Sequence, residues 1–202
     1  MSEVEIIEKV GKLFYQFGVK SLTMDDISRK LGISKKTLYQ YVSNKKDLVK
    51  KVVKSLVEEQ QHQIIELTKQ SNNAIDRLIS VHQFVGSRMN VIHQPMLIFD
   101  LQKYHPEALG FLKSHKDDFI FKGIVNNIKQ GIEEGYYRTE IKAELIGKFY
   151  MGMVTAIARE SDKLHETYSK EEVLSSFINY HLRGVLSAKG IDYMKTIEKD
   201  EN

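Results

Sequence analysis

An all-α protein is predicted, and three observations predict it. Apolar residues recur at three- and four-residue spacing almost throughout the 202 residues, only two prolines (Pro95 and Pro106) interrupt the pattern, and capping residues stand just before several apolar runs. The predicted architecture is a three-helix module containing a helix-turn-helix over residues 1–48, followed by a helical domain over 49–202.

The elements follow in order. Ile6, Val10, Leu13, Phe14 and Phe17 make one apolar stripe, ended by Gly18. The stretch from Ser21 to Leu48, SLTMDDISRKLGISKKTLYQYVSNKKDL, then announces three helix starts. Thr23 caps the first, with Asp25 and Asp26 in the turn that the helix dipole favours for acids and Leu22 placed to staple onto Ile27. Ser34 caps the second, with Ile33 and Leu38 as its staple, and Asn44 caps the third, with Asp47 at its third position. Gly32 supplies the left-handed turn between the first two. Two short helices joined by a glycine turn make a helix-turn-helix, with Ile27, Leu31 and Leu38 as its internal contacts.

A long helix then carries Leu48, Val49, Val52, Val53, Leu56, Val57, Ile64 and Leu67 from one module into the next. Further helices are expected over 74–91, 96–101, 106–134, 143–160 and 170–188, and the charged residues after Gly190 are expected to fray.

Composition narrows the function classes. Zero cysteines exclude a disulfide framework, a zinc ribbon and a thiol nucleophile, and agree with a reducing compartment. The start Met1-Ser2-Glu3-Val4-Glu5 is acidic rather than a basic export signal, and no apolar run approaches the roughly 18 residues of a membrane span. A cytoplasmic protein without a membrane partner is expected. No His/Asp/Glu set stands at metal spacing and no serine sits in a nucleophile motif, so no catalytic residue, metal or cofactor is assigned. Of the net charge of +3, residues 1–50 carry +4, from ten basic and six acidic side chains, which leaves −1 for the remainder. A basic head on a near-neutral body suits a polyanion such as double-stranded DNA.

In that reading the second helix, Lys35 to about Tyr41, is the recognition helix. Lysine donates to guanine O6 and N7, glutamine pairs with adenine, and a threonine methyl meets thymine, so Lys35, Lys36, Thr37 and Gln40 are the base-reading candidates. Thr23, Tyr39, Tyr41 and Lys45 are the phosphate candidates, Lys45 because it opens a helix whose free amides already favour an anion. The competing reading makes Tyr39 and Tyr41 packing residues and the lysines a solubilising face.

The stretch IIEKVGKLFYQFGVKSLTMDDISRKLGISKKTLYQYVSNKKDLV resembles the N-terminal domain of the tetracycline-repressor (TetR) family of bacterial regulators. The carrying pattern is a leading helix ending in F-x-x-G, then T-x-x-x-I, then G-[IV]-S-x-x-T-L-Y-x-Y, then a lysine before a long helix. The resemblance implies phosphate contacts from Thr23, Tyr39 and Lys45, and base or backbone contacts from Ser34, Lys35, Lys36, Thr37 and Gln40. Lys36 departs from the usual glycine or alanine, and Val42 from the usual phenylalanine. The resemblance further implies a homodimer on a palindromic operator, acting as a repressor released by a small ligand bound among the C-terminal helices. NNIKQGIEEGYYRTEIKAELIGKFYMGMV looks like the family's penultimate helices.

Polar-tipped residues on the C-terminal apolar stripes are the pocket candidates for a small apolar or amphipathic ligand: His82, Met89, His93, Phe99, Tyr104, Phe119, Tyr150 and Met153. The apolar faces of the last two long helices are too wide for one-sided burial, and they nominate Phe149, Phe177, Ile178, His181, Leu182 and Val185 for a dimer interface. Packing of both helices inside one chain is the competing reading. An architectural or partner-recruiting DNA-binding protein without an effector would carry the same N-terminal motif.

Overall fold

The computed structural model describes residues 1–92 and 95–200, without the side chains of residues 88–92, 95, 96, 116, 162 and 198–200. The described residues form α1 (Glu3–Phe17), α2 (Met24–Leu31), α3 (Lys35–Tyr39), α4 (Lys45–Lys69), α5 (Ala74–Ile92), α6 (Pro95–Tyr104), α7 (Pro106–Glu133), α8 (Ala143–Arg159), α9 (Ser161–Thr167), α10 (Lys170–Val185) and α11 (Ala188–Asp200). The long helices stand where the apolar spacing predicts them, to within a few residues. The short α9 and the terminal α11 are additions. In α11 the half-buried Tyr193, Met194 and Ile197 pack on apolar core, and the Tyr193 hydroxyl donates to Asp76 at 2.9 Å, so a segment expected to fray is tied down.

The chain divides into two compact units, one of residues Met1–Gln63 with Arg88–Lys116 and the other of Ile64–Ser87 with Asp117–Asn202. In the first, Ile6, Val10 and Phe14 of α1 close over Ile27, Leu38, Leu48, Val49 and Val52. The same apolar cluster takes in Leu97 and Leu101 of α6 and Leu109 of α7, so the core under the head continues well past Leu48. Removal of these side chains from water is the main stabilising contribution.

The second unit is built on Ile75, Leu78, Ile128, Tyr137, Phe177, Leu182 and Val185. Two of its buried polar groups are paired with each other: the Asn127 amide donates to the Ala74 carbonyl at 2.8 Å and its oxygen accepts from the Tyr137 hydroxyl at 3.1 Å. Gly131 lets the Tyr137 ring lie directly on the α7 backbone, where any Cβ would overlap it. Among the described residues no helix is long and apolar enough to cross a membrane.

Candidate nucleic-acid interface

Each helix of the head starts on the cap that its sequence provides. The Ser2 side chain accepts from Glu5 N and the Glu5 carboxylate accepts from Ser2 N, a reciprocal box at the start of α1. Thr23 and Asp26 repeat it on α2, and the Thr23 hydroxyl donates to Asp26 at 2.6 Å. That bond, with a backbone N–H on the same oxygen, holds the Asp26 carboxyl below the usual carboxylate range. Ser34 caps α3 by accepting from Thr37 N at 3.0 Å. Asn44 accepts from Asp47 N at 2.9 Å, while the Asp47 carboxylate reaches one residue further back and accepts from Ser43 N. Gly32 adopts φ +66°, the left-handed turn between α2 and α3.

These constraints place Leu38 in the core and leave the rest of α3 outward. Lys35, Lys36, Tyr39 and Gln40 are exposed and Thr37 is half-exposed. Lys35 pairs with Asp25 of α2 at 2.7 Å, which raises its affinity for its proton. Both partners are solvated, so the pair contributes little stability and leaves the ammonium available to another anion. Ser34 and Thr37 share a hydrogen bond of 2.8 Å. Tyr41 is half-buried and its hydroxyl donates to the Met1 carbonyl at 3.2 Å, so it ties the N-terminal residue to the segment after α3. Lys45 is also half-buried, and its ammonium donates to the Lys20 carbonyl at 3.5 Å.

The arrangement is one outward helix bearing cation, amide, hydroxyl and phenol groups, on two helices that cannot shift without losing their caps. It is a rigid donor surface of the size and chemistry that a DNA groove accepts. Sequence reasoning missed Asp25 and Lys20, because each acts through a neighbour that the turn brings close.

The pocket candidates do not form one cluster. His82, Phe119, Tyr150 and Met153 belong to the second unit, Phe99 and Tyr104 lie exposed on the first, and His93 and the Met89 side chain lie outside the described residues. In the second unit Tyr150 and His82 both meet Phe177, with ring centroids at 4.8 and 5.4 Å, and Tyr150 meets His181 edge-on at 5.0 Å. The His82 Nε2–H donates to the Leu174 carbonyl at 3.0 Å, and His181 Nε2 is buried without a partner. A separate apolar cavity of about 20 Å³ lies in the first unit among Val53, Leu56, Val57, Leu97, Leu101 and Leu112.

Of the residues nominated for an interface, Phe149 is 59% exposed. Phe177, Ile178, His181, Leu182 and Val185 are covered by side chains of their own unit rather than left on its surface. The width of the α10 stripe reflects neighbours within the chain. What remains outside is Leu145 and Phe149 on α8 and Tyr180 on α10.

Comparison with known proteins gives a consistent result. Residues 6–52 match the family described as bacterial regulatory proteins, tetR family. The chain is 29% identical over 192 residues to the uncharacterized HTH-type transcriptional regulator YvaF of Bacillus subtilis, covering 93% of this chain and 97% of that one. It is 22% identical over 152 residues to the HTH-type transcriptional repressor KstR2 of Mycobacterium tuberculosis, covering 72% and 74%. A crystal structure of a TetR-family transcriptional regulator from Agrobacterium tumefaciens superposes with a TM-score of 0.67 at 16% identity, over 92% of this chain and 98% of that one.

Proposed function

We propose that the chain is a DNA-binding transcriptional regulator of the tetR family, a cytoplasmic homodimeric repressor that reads a palindromic operator and releases it on binding a small molecule. The observation that carries the reading is the capped α2–Gly32–α3 unit, which holds Leu38 in the core and turns Lys35, Lys36, Thr37, Tyr39 and Gln40 outward.

In this reading residues 1–48 grip DNA and 49–202 bind the effector and the second chain. Lys35, Lys36, Thr37 and Gln40 face base edges; Thr23, Ser34, Tyr39, Tyr41 and Lys45 fix the register on phosphates. The exposed Leu145, Phe149 and Tyr180 meet the second copy, because large hydrophobic side chains gathered on one face are costly to leave in water. Two heads then reach major grooves one helical turn apart, roughly 34–36 Å.

The effector is an amphipathic molecule with a hydrogen-bonding group, a choice supported by the polar tips of His82, Tyr150 and His181 among apolar side chains. The α4 helix serves both units, and its displacement by the effector changes the spacing of the heads. By linkage, operator binding weakens effector binding by the same factor.

Selection from a randomised duplex pool tests the proposal directly. A two-fold symmetric consensus is the expected result, and failure to enrich any sequence would remove specific DNA binding.

Two single-residue results follow on the enriched duplex. Gln40→Ala is expected to cost about 1–3 kcal/mol and to relax the preference at one base pair per half-site. Repeating the selection checks it, and an unchanged consensus would show that Gln40 reads no base. Lys45→Ala is expected to weaken binding about equally on every sequence and to lower the slope of log affinity against log salt by about one per protomer. A salt titration on matched and random duplexes measures both effects, and an unaltered slope would take Lys45 off the phosphate.

A further inference from the structure

Lys20 stands in the turn between α1 and α2 and is held on three sides. Its N–H has no helical acceptor once α1 has ended, and it donates to Asp100 Oδ2 of α6 at 2.8 Å. Its carbonyl accepts from the Lys45 ammonium at the start of α4. Its own ammonium lies 5.4 Å over the ring of Tyr104, one turn after Asp100 on α6. All of these residues belong to one compact unit.

Asp100 is 5% exposed. A carboxylate at that depth is costly unless something compensates its charge; it accepts the Lys20 N–H, and the Lys20 carbonyl in turn accepts from the Lys45 ammonium, which brings that cation into its field. The compensation runs both ways: burial pushes the Lys45 ammonium below the ordinary lysine range, and the Asp100 charge works against that push. His105 lies in the same field. Burial and the Lys45 charge push its proton affinity down, so it is neutral near pH 7 and offers Asp100 no second cation. One turn further, Lys46 pairs with Glu107 of α7 at 2.9 Å.

We propose that Asp100 is the positioning residue for Lys45, a buried carboxylate on α6 that fixes the α1–α2 turn through Lys20 and holds the Lys45 ammonium where it meets the DNA phosphate. The proposal rests on the DNA-binding reading and extends it to regulation. A shift of α6 by about 1 Å would stretch the Lys20–Asp100 bond beyond hydrogen-bonding range. The phosphate contact then depends on where α6 lies, and α6 is outside the helix-turn-helix.

The test is a double-mutant cycle on the full-length protein, using a fluorescent duplex of random sequence at low salt. Asp100→Asn keeps the size and an acceptor for Lys20 N–H but removes the charge. It is expected to weaken binding by about the same factor as Lys45→Ala, roughly three- to tenfold, to lower the salt slope by about one per protomer, and to add nothing in the double variant.

Wild-type affinity and slope in Asp100→Asn, or factors that multiply in the double variant, would overturn the proposal. Should Asp100→Asn melt below the assay temperature, the cycle is run at a temperature at which circular dichroism shows both variants folded, and the same non-additivity is expected there. Amide hydrogen exchange gives a DNA-independent reading: Lys20 N–H should lose its protection in Asp100→Ala, and retained protection would count against the latch. If the wild-type protein itself ignores the duplex while Lys20 exchange responds as expected, the DNA-binding reading fails rather than the Asp100–Lys20 contact.

Discussion

Phe149→Glu is expected to give a fully helical monomer that binds the selected operator at least about a hundredfold more weakly than the wild-type protein, because joining two heads multiplies affinity by roughly 10²–10⁴. The exposed face of α8 carries Leu145, Phe149, Gly152 and Ala156 at positions i, i+4, i+7 and i+11, while Ala143, Gly147 and Tyr150 turn to the core. On α10, Tyr180 is 72% exposed and Gly184 has open space around it. Large apolar side chains beside small ones on both helices allow a close two-fold approach. A glutamate at 149 stays solvated in the monomer and is buried unpaired only in the dimer.

Leu182→Asp supplies the contrast. Leu182 is 1% exposed within its own unit, so the charge is buried in the monomer and costs about 3–5 kcal/mol of folding stability. Sedimentation and circular dichroism together separate the outcomes. Dimer loss with retained helicity is expected of the first variant and loss of helicity of the second. A wild-type protein that sediments as a monomer at micromolar concentration, yet holds a palindromic site tightly, would sink the dimer model.

The two helices also show where a sequence stops being informative. Caps are local chemistry, and Ser34 to Thr37 N or Thr23 to Asp26 N is a three-residue relation that needs no tertiary knowledge. The head was therefore legible down to its left-handed glycine. Apolar periodicity reports how wide a buried face is but not what covers it. Phe177, Leu182 and Val185 make a stripe that fits a second chain or the chain's own core equally well, and only the folded unit shows its own side chains over them.

Two further features escaped for different reasons. The α11 helix alternates charged residues with Tyr193, Met194 and Ile197, which hides a stripe that packs on core. The Asp100–Lys20 bond joins residues eighty positions apart, so no window reads it. One signal was present: a single acid in the apolar run Leu97-Ile98-Phe99-Asp100-Leu101 is an anomaly that a core helix keeps only with a partner.

Acidification is expected to destabilise the second unit through His181, starting well above the pH at which carboxylates titrate. His181 is 6% exposed and lies edge-on to Tyr150, whose ring in turn meets Phe177, with Nε2 unpartnered. Burial, with a smaller contribution from the charge of a protonated His82, pushes its proton affinity down to about 4, against 6.5 for a free side chain. The unfolded chain therefore binds the proton more readily than the folded one between those values. Stability due to the neutral ring is fully present above about pH 6.5 and is lost as pH falls towards 4. The difference corresponds to about 3 kcal/mol, because one pKa unit is about 1.4 kcal/mol. His82, also pushed down by burial, adds to the loss in the same direction.

His181→Leu removes the titration and an unpartnered polar atom together. The variant is expected to match or exceed wild-type stability near pH 5, and to differ least near neutrality. Urea titrations of both proteins across this window give the difference curve directly, with the carboxylate contribution common to both. If the two stabilities fall in parallel from neutral pH to about 5, the His181 ring is not the group that takes up the proton, and the buried cluster is less closed to water than its geometry requires.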